Sequence, residues 1–313
     1  MQYRTFSDLS TLIRRNIHRV PHDIDIVVGI PRSGMIPAYM IALYLNKRVT
    51  DIDSFIVGKI VEAGERDKYI RQTTIKKVLI VDDSVCSGCA MNKAKEKLLP
   101  ILSQYEFVFM SPIVTSTGRS YVDLYLEIID DARIFEWNVF HHSLLSHAAL
   151  DIDGVLNIDP VMDDDGVIYS TFLDTATPLF VPTVKVNTLI TCRLEKYRKQ
   201  TEKWLQSHNV QYEKLIMLDM PSKSERIKWG KHGEFKANYY KQHNDLYLFI
   251  ESNRSQASII AELSNKPTLC VETNELLCIS KRPLQKRINH WIKRKFPRVS
   301  SILSPFYQRI TKI

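Results

Sequence analysis

Two short stretches carry the residue types that could do chemistry. The first is Asp82-Asp83, followed by Ser84-Val85-Cys86-Ser87-Gly88-Cys89. Adjacent carboxylates repel a phosphate, so they suit sugar hydroxyls or a cation. The turn behind them offers backbone N–H groups and opens a helix through Met91, Ala94 and Leu98, which makes an anion cradle. Carboxylates for a diol beside N–H groups for a phosphate describe a site shaped for a ribose 5-phosphate. The second stretch is Asp151-Ile152-Asp153-Gly154. Residues i and i+2 of a strand face the same way, so Asp151 and Asp153 are predicted to meet on one side, with Gly154 letting the chain turn. Such a pair invites a hard divalent cation, hence Mg2+.

Strands must hold both stretches. Val78-Leu79-Ile80-Val81 is an apolar run read as a buried parallel strand that ends on Asp82. Upstream, Asp25–Ile30 reads as a strand, Pro31-Arg32-Ser33-Gly34 as its loop and Met35–Leu45 as a helix. An amphipathic helix over 7–18 opens the chain, and Glu106–Val114 and Leu124–Ile129 read as further strands. The aromatic-rich Arg133–His142 is expected to pack over the edge of this part. Cys86 and Cys89 have the C-x-x-C spacing of a redox dithiol, but such a motif has no use for Asp82, Asp83 or Gly88.

The run from Lys77 to Met91 resembles the motif with which type I phosphoribosyltransferases bind 5-phosphoribosyl 1-pyrophosphate (PRPP). The resemblance implies that Asp82 and Asp83 hold the 2- and 3-hydroxyls and that Ser84–Cys89 wraps the 5-phosphate. It further implies that Arg32, Ser33 and Gly34 receive the pyrophosphate. The polar stretch Gly58–Lys77 falls where that family keeps a mobile loop, from which Lys59, Arg66, Lys68 and Arg71 reach a pyrophosphate or simply meet solvent. Two departures stand out. Purine-salvage members carry a carboxylate inside the loop where this chain has Cys86, and a hydroxyl residue usually closes the loop in the family where this chain has Ala90.

The second stretch also has partners in order. Ala148–Leu156 reads as a strand carrying Asp151 and Asp153; Thr188-Leu189-Ile190-Thr191 ends on a hydroxyl; Lys236 opens a helix after Gly233; Leu246–Glu251 ends on an acid. Asp-x-Asp-Gly alone is also the spacing of a calcium-type loop. With its partners the series resembles the four motifs of the haloacid dehalogenase superfamily of phosphatases. That resemblance implies Asp151 as nucleophile, Asp153 as general acid and base, Thr191 and Lys236 on the phosphoryl group, and Mg2+ on Asp151, Asp153 and Glu251. Where the family more often has Asp, this chain has Glu251 followed by Ser252-Asn253. Residues 157–186 form a small cap in this reading, and Asp163-Asp164-Asp165 within it reads as a solvated turn.

A chain of 313 residues accommodates two domains, each with its own core. Its 44% apolar and 25% charged content is that of ordinary soluble proteins. No apolar run reaches membrane-spanning length, and five cysteines without a secretory signal imply reduced thiols in the cytosol. The net charge of +8 lies in the tail: Leu276–Ile313 holds ten Lys/Arg and no acid, leaving −2 for the rest. This weighs against nucleic acid. Leu284, Ile288, Trp291 and Ile292, then Ile302, Leu303, Phe306, Tyr307 and Ile310, give a basic amphipathic pattern that suits an anionic membrane or docking on the protein itself.

The expected architecture is therefore α/β, two parallel-sheet domains with a basic helical tail: 1–145 transferase, 146–278 phosphatase, 279–313 tail. The pairing resembles bifunctional bacterial enzymes that install ribofuranose in surface polysaccharides. It implies PRPP and a lipid-linked glycan acceptor as substrates, at the cytoplasmic face of the membrane. A nucleobase transferase fused to a nucleotidase, or a PRPP sensor fused to a phosphatase, are the alternatives.

Overall fold

The computed structural model describes residues 1–61, 64–70, 74–130 and 132–278. The basic tail and Arg71 lie outside the described residues. The chain divides into two compact units, Met1–His142 and a second from Ser143 onward.

In the first unit, short apolar runs form a parallel sheet because helices cover both faces. After β1 (Gln2–Arg4) and α1 (Phe6–Asn16) come β2 (Ile26–Gly29), α2 (Met35–Leu45), β3 (Arg48–Asp51) and α3 (Ile52–Ile56). Then follow β4 (Lys77–Val81), β5 (Ser84–Val85), α4 (Cys89–Leu98), β6 (Glu106–Val114), β7 (Leu124–Ile128) and β8 (Arg133–Phe135). The main sheet runs β3-β2-β4-β6-β5, with β7 also on β6, all parallel. Strand β4 is paired on both sides, and Val78–Val81 are fully buried, as a run with no polar side chain requires. One core lies on the α1–α2 face and a second on the α3–α4 face. The aromatic-rich segment contributes β8, which pairs with β1 in a separate two-stranded sheet.

The second unit contains β9 (Ala148–Leu150), α5 (Val167–Thr175), β10 (Val186–Leu194), α6 (Arg198–Ser207) and β11 (Tyr212–Leu218). It continues with α7 (Lys223–Trp229), α8 (His232–Gln242), β12 (Leu248–Glu251), α9 (Arg254–Ser264), β13 (Thr268–Cys270) and β14 (Glu275–Leu277). Its sheet order is β11-β10-β9-β12-β13-β14, parallel except for the last pair. Successive strands therefore step away from β9 in opposite directions. In open α/β sheets such a reversal leaves a crevice at the carboxyl ends of the strands, where ligands bind.

Two expectations for this unit need correction. Strand β9 stops at Leu150, before Asp151, so the alternation rule does not govern Asp151 and Asp153. Nor is Asp163-Asp164-Asp165 a solvated turn. Asp163 pairs with Arg226 at 2.5 Å, its carbonyl takes the Lys223 ammonium, and Asp165 takes Lys196 and the Tyr197 hydroxyl. Asp164 accepts the backbone N–H groups of Gly166, Ile168 and Tyr169 at the start of α5. Asp163 and Asp165 thus tie residues 157–186 to the body of the unit, while Asp164 caps α5 within the segment.

Candidate active sites

In the first unit, the loops after β2 and β4 meet at Gly34. A Cβ there would lie 2.5 Å from the Ile30 carbonyl oxygen, 2.7 Å from that of Val81 and 3.0 Å from the Asp82 Cα, so only glycine fits. This contact brings the Arg32-Ser33-Gly34 loop, at its glycine, against the backbone where β4 gives way to Asp82. Arg32 is exposed and Gly34 is buried, while the peptide between Pro31 and Arg32 is cis.

Asp82 and Asp83 are both buried at the end of β4. The Asp83 N–H donates to Asp82 Oδ1 at 2.9 Å, and the Trp137 indole Nε1–H donates to Asp83 Oδ2 at 2.7 Å. Burial, and then the neighbouring Asp83 charge, push the Asp82 carboxyl up to about 7. Burial raises Asp83 as well, against the pull of the Trp137 hydrogen bond. Trp137 itself stacks on Phe135, with ring centroids 4.8 Å apart. Sequence reasoning missed its role, because 54 residues separate the partners and no local pattern marks them.

The loop Ser84–Cys89 is less open than expected. Ser84 and Val85 form β5 against β6, and the Val85 carbonyl takes the Thr115 N–H. What remains for an anion is the start of α4. Gly88, in the left-handed region at φ 73°, stands at its N-cap with no side-chain cap bond, and the Tyr121 ring fills the place of any Cβ. The first helical bond there runs from the Asn92 N–H to the Gly88 carbonyl, so the N–H groups just before Asn92 have no helical acceptor. Cys86 and Cys89 are free and exposed.

In the second unit, three strand ends and α8 converge. Lys236, buried in the first half of α8, donates at 2.6 Å to Asp151 Oδ2, at 2.7 Å to Glu251 Oε2 and at 3.0 Å to Gln256 Oε1. Burial opposes its charge, but Asp151 and Glu251 outweigh burial and hold the ammonium protonated. Burial, helped by Glu251 and Asp153, pushes the Asp151 carboxyl up, with Lys236 pulling against it. Thr191 is buried on β10, where its Oγ1 accepts the Arg193 N–H at 3.2 Å. Asp153 turns away to another cation: Arg193 Nη2 reaches Oδ1 at 2.6 Å and Nε reaches Oδ2 at 3.0 Å. Burial would raise the Asp153 carboxyl, but Arg193 overrides it and holds the group below the usual carboxylate range.

The expected three-carboxylate metal set is therefore not assembled, because Asp153 is taken by Arg193. Among the described residues no three His, Cys, Asp or Glu side chains are grouped to hold an ion. Asp151 and Glu251 alone converge on one buried cationic atom. That donor set fits magnesium, which usually takes one or two carboxylates and fills its octahedron with water and phosphate oxygens. Charge argues the same way. Asp151, Glu251 and Asp153 face the two cations Lys236 and Arg193, so a phosphate dianion entering here adds to an existing negative excess.

Residues 6–103 match the family model described as the phosphoribosyl transferase domain. The first unit carries a phosphoribosyltransferase-type fold. Similar solved structures include a purine phosphoribosyltransferase from Pyrococcus horikoshii, at 20% identity over 43% of this chain and 91% of that one, with TM-score 0.32. A xanthine-guanine-hypoxanthine phosphoribosyltransferase from Helicobacter pylori is similar at 17% identity over 44% and 92%, with TM-score 0.34. An orotate phosphoribosyltransferase from Aeropyrum pernix shares 18% identity over 36% and 60%, with TM-score 0.27. No curated protein matches the chain.

Proposed function

We propose that the protein transfers 5-phosphoribosyl from PRPP to a glycan acceptor and then hydrolyses the 5-phosphate, leaving a ribofuranoside. The observation that carries the second step is the buried Lys236 ammonium, shared by Asp151 and Glu251 at the carboxyl ends of two adjacent strands. A structural ion pair needs one acid; two acids on one ammonium suit a magnesium ion, and with it the ammonium and the hydroxyl residue on the neighbouring strand suit a phosphoryl group.

In the transferase step, Asp82 and Asp83 bind the ribose hydroxyls and the start of α4 takes the 5-phosphate. The loop Arg32-Ser33-Gly34 takes the pyrophosphate, which Mg2+ accompanies. The acceptor oxygen attacks C1, the C1–pyrophosphate bond breaks, and α-configured PRPP gives a β-linked product. A carboxyl lifted to about 7 is suited to take the acceptor proton near neutral pH, which favours Asp82 over an ordinary Asp.

In the phosphatase step, Asp151 attacks phosphorus and Thr191 and Lys236 hold the phosphoryl oxygens. Asp153, held ionised by Arg193 before substrate enters, takes up a proton as the anionic phosphate arrives, gives it to the leaving alkoxide and afterwards takes one from the hydrolytic water. Magnesium on Asp151 and Glu251 supplies charge neutralisation when bound. Removing the 5-phosphate defeats nucleotide salvage, where that group is wanted, and makes ribosylation of a glycan irreversible. Cys86 in place of the salvage-type acid supports the same reading.

The test is mass spectrometry of a lipid-linked glycan incubated with PRPP and Mg2+. The wild-type chain is expected to add a pentose, and Asp151→Asn a pentose phosphate that persists. Should Asp151→Asn deliver the plain pentose, the two-step scheme is wrong; nucleotide formation from free bases would replace the glycan with a nucleobase.

A further inference from the structure

Beyond holding Asp153 ionised, Arg193 has no part in the chemistry just described, yet its guanidinium is buried against the general acid. Thr191 and Arg193 are two apart near the end of β10, beside a break in its register with β11. The guanidinium grips Asp153 as a fork, Nη2 on Oδ1 and Nε on Oδ2, while Nη1 is held from behind by Thr201 Oγ1 of α6 at 3.4 Å. Asn157 completes the arrangement. Its Oδ1 accepts Arg193 Nη2 at 3.0 Å, and its Nδ2 donates to Asp153 Oδ1 at 3.2 Å and to the Ile158 carbonyl at 2.6 Å.

A carboxylate has about four in-plane acceptor sites, two on each oxygen. Oδ1 of Asp153 is filled by Arg193 Nη2 and Asn157 Nδ2, whereas Oδ2 takes only Arg193 Nε at close range. We infer that Arg193, together with Asn157, is the positioning residue for Asp153, fixing the plane of the carboxylate so that Oδ2, the oxygen with an open acceptor site, faces the reacting bond. The inference rests on the phosphatase reading. A fork fixes both the plane and the rotation of its partner, which the single ammonium of lysine does not. Asn157 also forms bridges to Asp153 and to Pro178, so the acid is held by the stem of the cap as well as by the sheet.

The test compares wild type, Arg193→Lys and Asn157→Ala as full chains with Mg2+ on two substrates, p-nitrophenyl phosphate and ribose 5-phosphate. The aryl oxide departs without a proton; the alkoxide needs one, and kcat/KM reports events up to that departure. For Arg193→Lys the expected loss in kcat/KM is on the order of 100-fold on ribose 5-phosphate and under about tenfold on the aryl ester. Inhibition by inorganic phosphate stays unchanged. Asn157→Ala moves the same ratio less far and, keeping the ion pair, carries the test if Arg193→Lys does not fold. Equal losses on both substrates, or weakened phosphate inhibition that accounts for the loss, overturn the inference. A wild-type chain that hydrolyses neither substrate overturns the phosphatase reading instead.

Discussion

Gly34→Ala tests whether the two loops of the first unit form one site. The new methyl would stand 2.5 Å from the Ile30 carbonyl oxygen and 2.7 Å from the Val81 carbonyl oxygen. Ordinary contact begins near 3.4 Å, so one loop must retreat by about 0.9 Å. The obstacles are backbone atoms of a sheet end, which cannot swing aside as a side chain can. Overpacking of this kind costs about 1–3 kcal/mol, and a misplacement near 1 Å costs about 100-fold in a reaction that depends on alignment. The proposed pyrophosphate loop and the proposed hydroxyl-binding acids would no longer be in register. The assays are mass-spectrometric transfer to the glycan acceptor, calorimetric PRPP binding with Mg2+ and thermal unfolding, with p-nitrophenyl phosphate hydrolysis as a control for the second unit. Expected are a loss of transferase turnover of about 100-fold, a modest fall in Tm and an intact control. Wild-type PRPP binding and transfer in Gly34→Ala would refute the reasoning, since the loops would then not need to touch.

Two further outcomes follow from the buried charges. Because the Asp82 carboxyl is raised to about 7, the stability it contributes is present below its ordinary range near 4 and lost as pH climbs through about 7. Binding that needs its anion runs the opposite way. Mg-PRPP affinity should rise up to about tenfold per unit between pH 5 and 7 and then level off, and Asp82→Asn should flatten that profile in calorimetry. Lys236→Met leaves Asp151 and Glu251 buried without their shared cation, a change worth about 3–5 kcal/mol. Denaturant unfolding should show it, and adding Glu251→Gln should recover part; an unchanged midpoint would mean that the triad is not formed.

Strand–loop–helix units were legible because apolar runs and their punctuation are local. Met35–Leu45 and Glu106–Val114 stand in the structure as the sequence pattern predicts. Asp82, Asp83, Asp151, Thr191, Lys236 and Glu251 were also legible as candidates; the acids close or follow apolar runs, whereas Thr191 lies within β10, which runs on to Leu194, and Lys236 lies within the first half of α8. What pairs with them was not. Trp137 reaches Asp83 across 54 positions, and Arg193 reaches Asp153 across 40, distances over which no periodicity survives. Arg193 could have been found by asking what else shares the side of β10 that bears Thr191.

The residue order alone marked two apolar runs that each lead into a pair of acids, one pair followed by a turn fit for an anion, since hydrophobic patterning and turn residues are local features of the chain. Tertiary structure decided which cation each acid faces. It placed Lys236 between Asp151 and Glu251, and it sent Asp153 to Arg193. Ion pairing in a buried site is set by distances of a few ångströms between separate elements, and only the packed sheet fixes those.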